Sequence, residues 1–220
     1  MVPVRGRLQS QLDRIAGRVT QMGEMVDRAI QRAVQSLSER DVELAQQVIA
    51  EDEAINTLRF DIEDECYTLL ATQQPAASDL RLVVAALHTV TELERIADYA
   101  KGIGQLLLRV EGEQLLLPAQ TTLRMAEFVG EMMRTVLEAF AEGDISKAEG
   151  VFAMDDDIDH LYREVYESII HAMVTHRHGV QKGMHLLFAA HNLERMGDRV
   201  TNISEHVIFM RTGVMEEQNL

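Results

Sequence analysis

The clearest pattern in the chain is a stripe. Leu8, Leu12, Ile15, Val19, Met22, Val26, Ala29, Ala33 and Leu37 recur at spacings of four and three. That is the period of a helix turning one face to neighbours that cross it at a shallow angle. The stripe stops at Ser38–Asp41, and Asp41 is suited to cap a second helix running from about 42 to 72, whose stripe is Val48, Ile55, Ile62, Cys66 and Leu69. Pro75 breaks this helix, and Ser78 is suited to cap a third over about 79–110. The pattern resets around Glu111–Pro118. Ala119, Leu123, Ala126, Gly130, Met133, Leu137 and Phe140 then repeat the first stripe. Gly143–Asp144 punctuates as Arg40–Asp41 does, a fifth helix covers about 145–176, and a sixth ends near Thr212.

The two halves are copies. Asp52-Glu-Ala-Ile55 aligns with Asp155-Asp-Asp-Ile158 at a shift of 103 residues, and Leu93-Glu-Arg-Ile-Ala-Asp98 with Leu193-Glu-Arg-Met-Gly-Asp198 at a shift of 100. The difference of three is absorbed by a loop, where changes in length cost little. Short loops make successive helices antiparallel. The expected fold is therefore all-α, two tandem, pseudo-symmetric antiparallel three-helix bundles rather than one merged six-helix core. The expected boundaries are 1–112 and 113–220.

Composition narrows the function. With 46% hydrophobic residues the chain can bury a core, and the formal net charge of −15 repels phosphate backbones and anionic lipid. Nucleic acid is thus excluded as a partner, and so is direct membrane insertion, since no run reaches the roughly 18 apolar residues of a span. One cysteine, Cys66, and no signal peptide point to the cytoplasm.

The chemistry-bearing pattern is acidic. Glu94/Asp98 and Glu194/Asp198 are i, i+4 pairs on the third helix of each copy. Asp155/Asp159, with Asp52/Asn56 as its counterpart, lies on the second. Residues four apart share one helical face, so their oxygens can converge on one ion. Glu94 lies only about 40° from the stripe of Val83, Leu87 and Val90, whereas a purely solvated face would lie opposite it. Equal distances from the turn set the pairs of adjacent helices at the same height, and that many charged carboxylates at one level call for a cation. The candidate metal ligands are Asp52, Glu94 and Asp98 in the first copy and Asp155, Asp159, Glu194 and Asp198 in the second. Asn56, Gly102 and Gln105 make the first copy poorer in charge than Asp159, Asn202 and Glu205 make the second. The competing reading is a structural salt-bridge network through Arg95 and Arg195. All-oxygen donors favour Mg, Mn, Ca or Fe over Zn, although Zn stays among the candidates. A ferritin-like di-iron centre is disfavoured because Glu-x-x-His is missing. His191, one turn before Glu194, is an auxiliary candidate, while His88, His171 and His185 read as core-edge or surface residues.

At these residues the chain resembles the PhoU family, accessory and regulatory proteins of phosphate-specific transport. The resemblance rests on Gln74-Pro-Ala-Ala-Ser-Asp-Leu-Arg81, on Leu-Glu-Arg-Ile-Ala-Asp98, and on Leu-Glu-Arg-Met-Gly-Asp-Arg-Val-Thr-Asn-Ile-Ser-Glu205. It implies two three-helix bundles, acidic metal motifs, a homodimer and negative regulation of the phosphate-starvation response. It also implies contacts with the phosphate ABC-transporter ATPase and with the phosphate sensor histidine kinase. No nucleophile–base pair and no phosphate-cradling loop is present in the sequence, so the expectation is a regulator and not an enzyme. The alternatives are a carboxylate-bridged metalloenzyme or metal store, and a phosphorelay bundle with His191 as acceptor.

Overall fold

The computed structural model describes residues 4–110, 119–175 and 179–214, and within them six helices and no strand. The helices are α1 (Val4–Glu39), α2 (Val42–Gln73), α3 (Ser78–Arg109), α4 (Ala119–Glu142), α5 (Ile145–Thr175) and α6 (Gly179–Thr212). The expected boundary at 112/113 and Pro118 lie outside the described residues.

The width of each apolar stripe tells where its helix sits. α2 buries a single stripe, Ala45, Val48, Ile55, Ile62, Cys66 and Leu69, and α5 another, Ala148, Val151, Ile158, Val165 and Ile169. Such helices need one apolar neighbouring surface. α3 buries far more of its circumference, from Val83, Ala85 and Ala86 round to Ile103, Gly104 and Leu107. Accordingly, among the described residues, α2 touches only α1 and α3, and α5 only α4 and α6, while α1 also packs on α4 and α3 on α6. The architecture is two three-helix bundles joined through α1, α3, α4 and α6. Their inner faces fuse: the buried apolar residues of both halves form one continuous cluster. The duplication does not reveal this, because a repeat of single stripes says nothing about how two copies meet.

The seam has an internal two-fold logic, since each helix in it meets its own counterpart, antiparallel. Between α1 and α4, Arg134 pairs with Asp27 at 3.1 Å and Gln31 donates to the Ala126 carbonyl at 3.0 Å. A Cβ on Gly23 would meet Leu137, so the helices approach closely where that glycine lies. Between α3 and α6, Arg81 Nε donates to the Met210 carbonyl, Arg199 lies against Glu92, and His88 stacks on His206 with ring centroids 4.7 Å apart. This is the geometry of an isologous dimer interface built within one chain.

The turns repeat as well. Arg40 (φ 59°) and Gly143 (φ 65°) both leave their helices in the left-handed region. Asp41 N–H then bonds Ser36 O, and Asp144 N–H bonds Ala139 O, the hydrogen-bond pattern of a Schellman ending. Asp41 caps α2 through Leu44 N–H as expected, and Asp144 accepts from the N–H groups of Ser146 and Lys147. The expected cap of α3 differs. Ser78 is the first helical residue, and Ala77, at φ 50°, precedes it without a side-chain cap. With Gln74 already left-handed at φ 48°, the chain around Pro75 turns within three residues and enters the helix one position earlier than a Ser cap requires.

Arg40 adopts the backbone conformation that its counterpart position fills with glycine. Arg40→Gly is therefore expected to raise unfolding stability by about 0.5–1 kcal/mol in denaturant titration.

Candidate metal centre

In the first bundle two of the three candidate carboxylates, Asp52 and Glu94, already have cations. Asp52 is buried on the α3-facing stripe of α2, and its Oδ2 accepts from Lys101 Nζ at 2.6 Å and from Asn56 Nδ2 at 3.1 Å. Glu94 pairs with Arg59 at 3.0 Å, and the same guanidinium holds Glu63 at 2.8 Å. The hydrogen bond to Asp52 pushes the Lys101 ammonium above its ordinary pKa, so Lys101 stays charged. Asp98 is exposed. Asp52 Oδ1 is buried without a hydrogen-bond partner.

The second bundle holds the same constellation without those two cations. At the shifts that align the copies, Tyr162 stands where Arg59 does and Thr201 where Lys101 does. Tyr162 faces Glu194 as Arg59 faces Glu94: burial and the Glu194 charge push its phenol up. Asp155, Asp159, Glu194 and Asp198 then burden one another. The Asp155 carboxyl is pushed up to about 6, by burial first and then by Asp198, Asp159, Asp156 and Glu194. Glu194 is raised by burial and by Asp198. Asp198 is raised by burial, against the pull of Arg195 and Arg199. Glu194 Oε2 is buried with no hydrogen-bond donor, although His191 Nδ1 lies 3.2 Å away. The auxiliary histidine of the sequence analysis is thus beside the cluster.

The arginines divide differently from the expected salt-bridge network. Arg95 turns to Glu92 at 3.3 Å, and Arg195 lies 3.6 Å from Asp198. Arg59, Lys101 and the seam group of Glu92, Arg199 and Asn202 escaped the sequence reading. The equal-height rule that paired the carboxylates could have found the first two. With the turn centred just after Ala76, Lys101 falls opposite Asp52 and Arg59 opposite Glu94.

Among the described residues, no three His, Cys, Asp or Glu side chains already converge in a metal-holding arrangement. The donor set of the second bundle nevertheless suits a hard cation, being all oxygen, crowded, and including one orphaned buried oxygen. The set of the first bundle does not, because a lysine and an arginine fill the space between its acids.

Fold and site together define a duplicated three-helix-bundle protein with acidic side chains on the second and third helices of each copy, met by Lys101 and Arg59 in the first and crowded on one another in the second. Residues 19–107 and 122–207 both match the PhoU domain, and the chain belongs to the PhoU family. It is 35% identical over 204 residues to a "Phosphate-specific transport system accessory protein PhoU homolog" of Caulobacter vibrioides, covering 92% of this chain and 89% of that protein. It is 32% identical over 214 residues to the accessory protein PhoU of Escherichia coli K12, covering 96% and 87%. Among solved structures, PhoU from Pseudomonas aeruginosa superposes with a TM-score of 0.88 at 30% identity, covering 94% of this chain and 99% of that one. The phosphate transport system regulatory protein PhoU from Streptococcus pneumoniae gives 0.88 at 28%, covering 96% and 99%. No described helix is long and apolar enough to cross a membrane.

The Asp155 carboxyl binds its proton more tightly folded than unfolded, so its contribution to the stability of metal-free protein is present below about pH 4 and lost as pH rises to about 6. His206 works in the opposite sense. Burial, then His88, lowers it to about 4, so stability falls as pH drops from about 6.5 to about 4. Single variants separate the two: metal-free Asp155→Asn should match the parent near pH 4 and exceed it at pH 7, read as the midpoint of thermal unfolding.

Proposed function

We propose that this chain is a non-enzymatic cytoplasmic accessory protein that regulates phosphate uptake and represses the phosphate-starvation response, acting by protein–protein contact and carrying metal in its second bundle. The phosphate assignment follows from relatives bearing the name of phosphate-specific transport accessory proteins at 89% and 87% coverage of their own lengths. The partners this reading names are the ATPase of the phosphate importer, the phosphate sensor histidine kinase and a second copy of the chain.

The observation that supports action by contact is a ladder of exposed apolar side chains. Tyr166, Ile170 and Val174 rise along α5 at helical spacing, and Val180, Met184 and Phe188 descend along α6, all of them exposed. Met173 lies against Gly183 and Ile158 against Gly197, an antiparallel register that puts Ile170 within a turn of Met184 and Tyr166 within a turn of Phe188. Large apolar groups gathered on neighbouring helices mark an interaction site far more often than the same residues scattered singly. The carboxylate cluster lies on the same two helices, farther from their turn.

A metal ion held by Asp155, Asp159, Glu194 and Asp198 would supply positive charge between α5 and α6. At a hundredfold excess over its dissociation constant it would stabilise the bundle by about 2.7 kcal/mol. Fe, Mn, Mg and Zn are the candidates. Metal in this reading fixes helix register, and the chain carries out no chemistry at the ion.

Ile170→Lys with Met184→Lys should leave thermal unfolding unchanged and weaken capture of the importer's ATPase at least tenfold. Unchanged capture would remove the ladder from the reading. Loss of repression in cells, with the ATPase still captured, would assign the ladder to the sensor kinase instead.

A further inference from the structure

We propose that the first bundle carries its own cations: Lys101 and Arg59 occupy the ground between α2 and α3 that a metal ion takes between α5 and α6, so that metal binding is confined to the second bundle. This rests on the reading of the second bundle as a metal site, and extends it to a division of labour between the copies.

Three observations carry it. The first is the pair of contacts that join α2 to α3, Lys101 Nζ to Asp52 Oδ2 at 2.6 Å and Arg59 to Glu94 at 3.0 Å. Each lies at a position where the second bundle has a neutral side chain, Thr201 and Tyr162. The second is burial. The Asp52 side chain is only 4% exposed, so its charge is held in low dielectric, and a divalent ion reaching the free Oδ1 would lie within a few ångströms of the ammonium. Two positive charges that close in a partly buried site repel strongly. The third is the missing ligand. Asn56 replaces the acid seen at Asp159, and its amide N–H is turned toward Asp52, donating at 3.1 Å, so it offers that carboxylate a proton and not an oxygen for a metal.

The consequence is asymmetric. α2 and α3 are cross-linked whatever the supply of metal, while the link between α5 and α6 depends on it. The first bundle is a fixed half and the second a responsive one.

The test is equilibrium dialysis of Mn²⁺ against the full-length metal-free chain, with amide hydrogen exchange as a second readout. Asp155→Asn with Glu194→Gln and Asp198→Asn should abolish binding, and Asp52→Asn with Glu94→Gln should leave it within twofold of the parent. On the background lacking the second site, Lys101→Thr, Arg59→Tyr and Asn56→Asp together should restore Mn²⁺ binding at least tenfold above that background. In the unmutated chain Mn²⁺ should slow exchange along α5 and α6 around the cluster and leave α2 and α3 unchanged, a readout that does not depend on whether the grafted variant folds. Mn²⁺ retained by the second-site variant, or protection of α2 and α3, would overturn this inference while leaving the second-bundle reading intact. A parent chain that binds no Mn²⁺, Fe²⁺ or Zn²⁺ would remove that reading, and this inference with it.

Discussion

The packing of α3 against α6 is the constraint on which the rest of the molecule depends. Each of these helices must serve three neighbours at once, the two other helices of its own bundle and its counterpart in the other copy, whereas α2 and α5 each serve two. That demand explains why α3 is apolar over so much of its circumference while α2 is apolar along one stripe. It also fixes where polar groups can go. Glu92, 8% exposed in the seam, is tolerable only because Arg199 and Asn202 reach it from α6 and Arg95 from its own helix. The counterpart of Glu92 in the other copy is Asn192, which lies beside Gly102. One charge of the internal two-fold is thereby missing, and with it the need for a second arginine at position 99, where Tyr99 stands.

Anchoring at the seam has a cost one turn away. Arg199 follows Asp198 directly, and an arginine directed to Glu92 gives the cluster on the far side of α6 only part of its charge. Arg195 stays 3.6 Å from Asp198, and the carboxyls of Asp155, Glu194 and Asp198 are all held above their ordinary values. In the first bundle the same crowding is relieved locally by Lys101 and Arg59. Like charge at one height is therefore met in two ways within one chain, by built-in cations on one side and by an unmet demand for one on the other.

Much of the fold is legible in the sequence because it rests on periodicity and on a duplication, both of which survive in a one-dimensional string. The stripe from Leu12 to Leu37 and the paired motifs at 52/155 and 94/194 lead directly to six helices in two copies. The fused core is not legible, since Met125, Met132 and Val136 look like helical filler until α1 is seen lying on α4. The acids of the site are legible as i, i+4 pairs. Their neutralisers are not, because Lys101 and Arg59 belong to no short motif and matter only through heights on adjacent helices. The start of α3 escaped for a related reason. Ser78 has the chemistry of a cap, but the left-handed turn at Gln74 and Ala77 decides where the helix begins.

The asymmetry has a mechanical consequence through the seam. Among the described residues, α6 carries Glu194 and Asp198 of the second carboxylate cluster and half of the apolar ladder, and it also packs on α3 of the first bundle. If a cation draws α5 and α6 together, the shift acts on a helix whose other face holds Glu92 through Arg199 and stacks His206 on His88. The opposing helix, α3, is tied to α2 by Lys101 and Arg59 and so resists following. A packed core of this density accommodates such a shift by discrete repacking and not by smooth deformation. In that case the first bundle would serve as the base against which movement of α6, and with it the exposed row of Val180, Met184 and Phe188, would become a change in the surface offered to a partner.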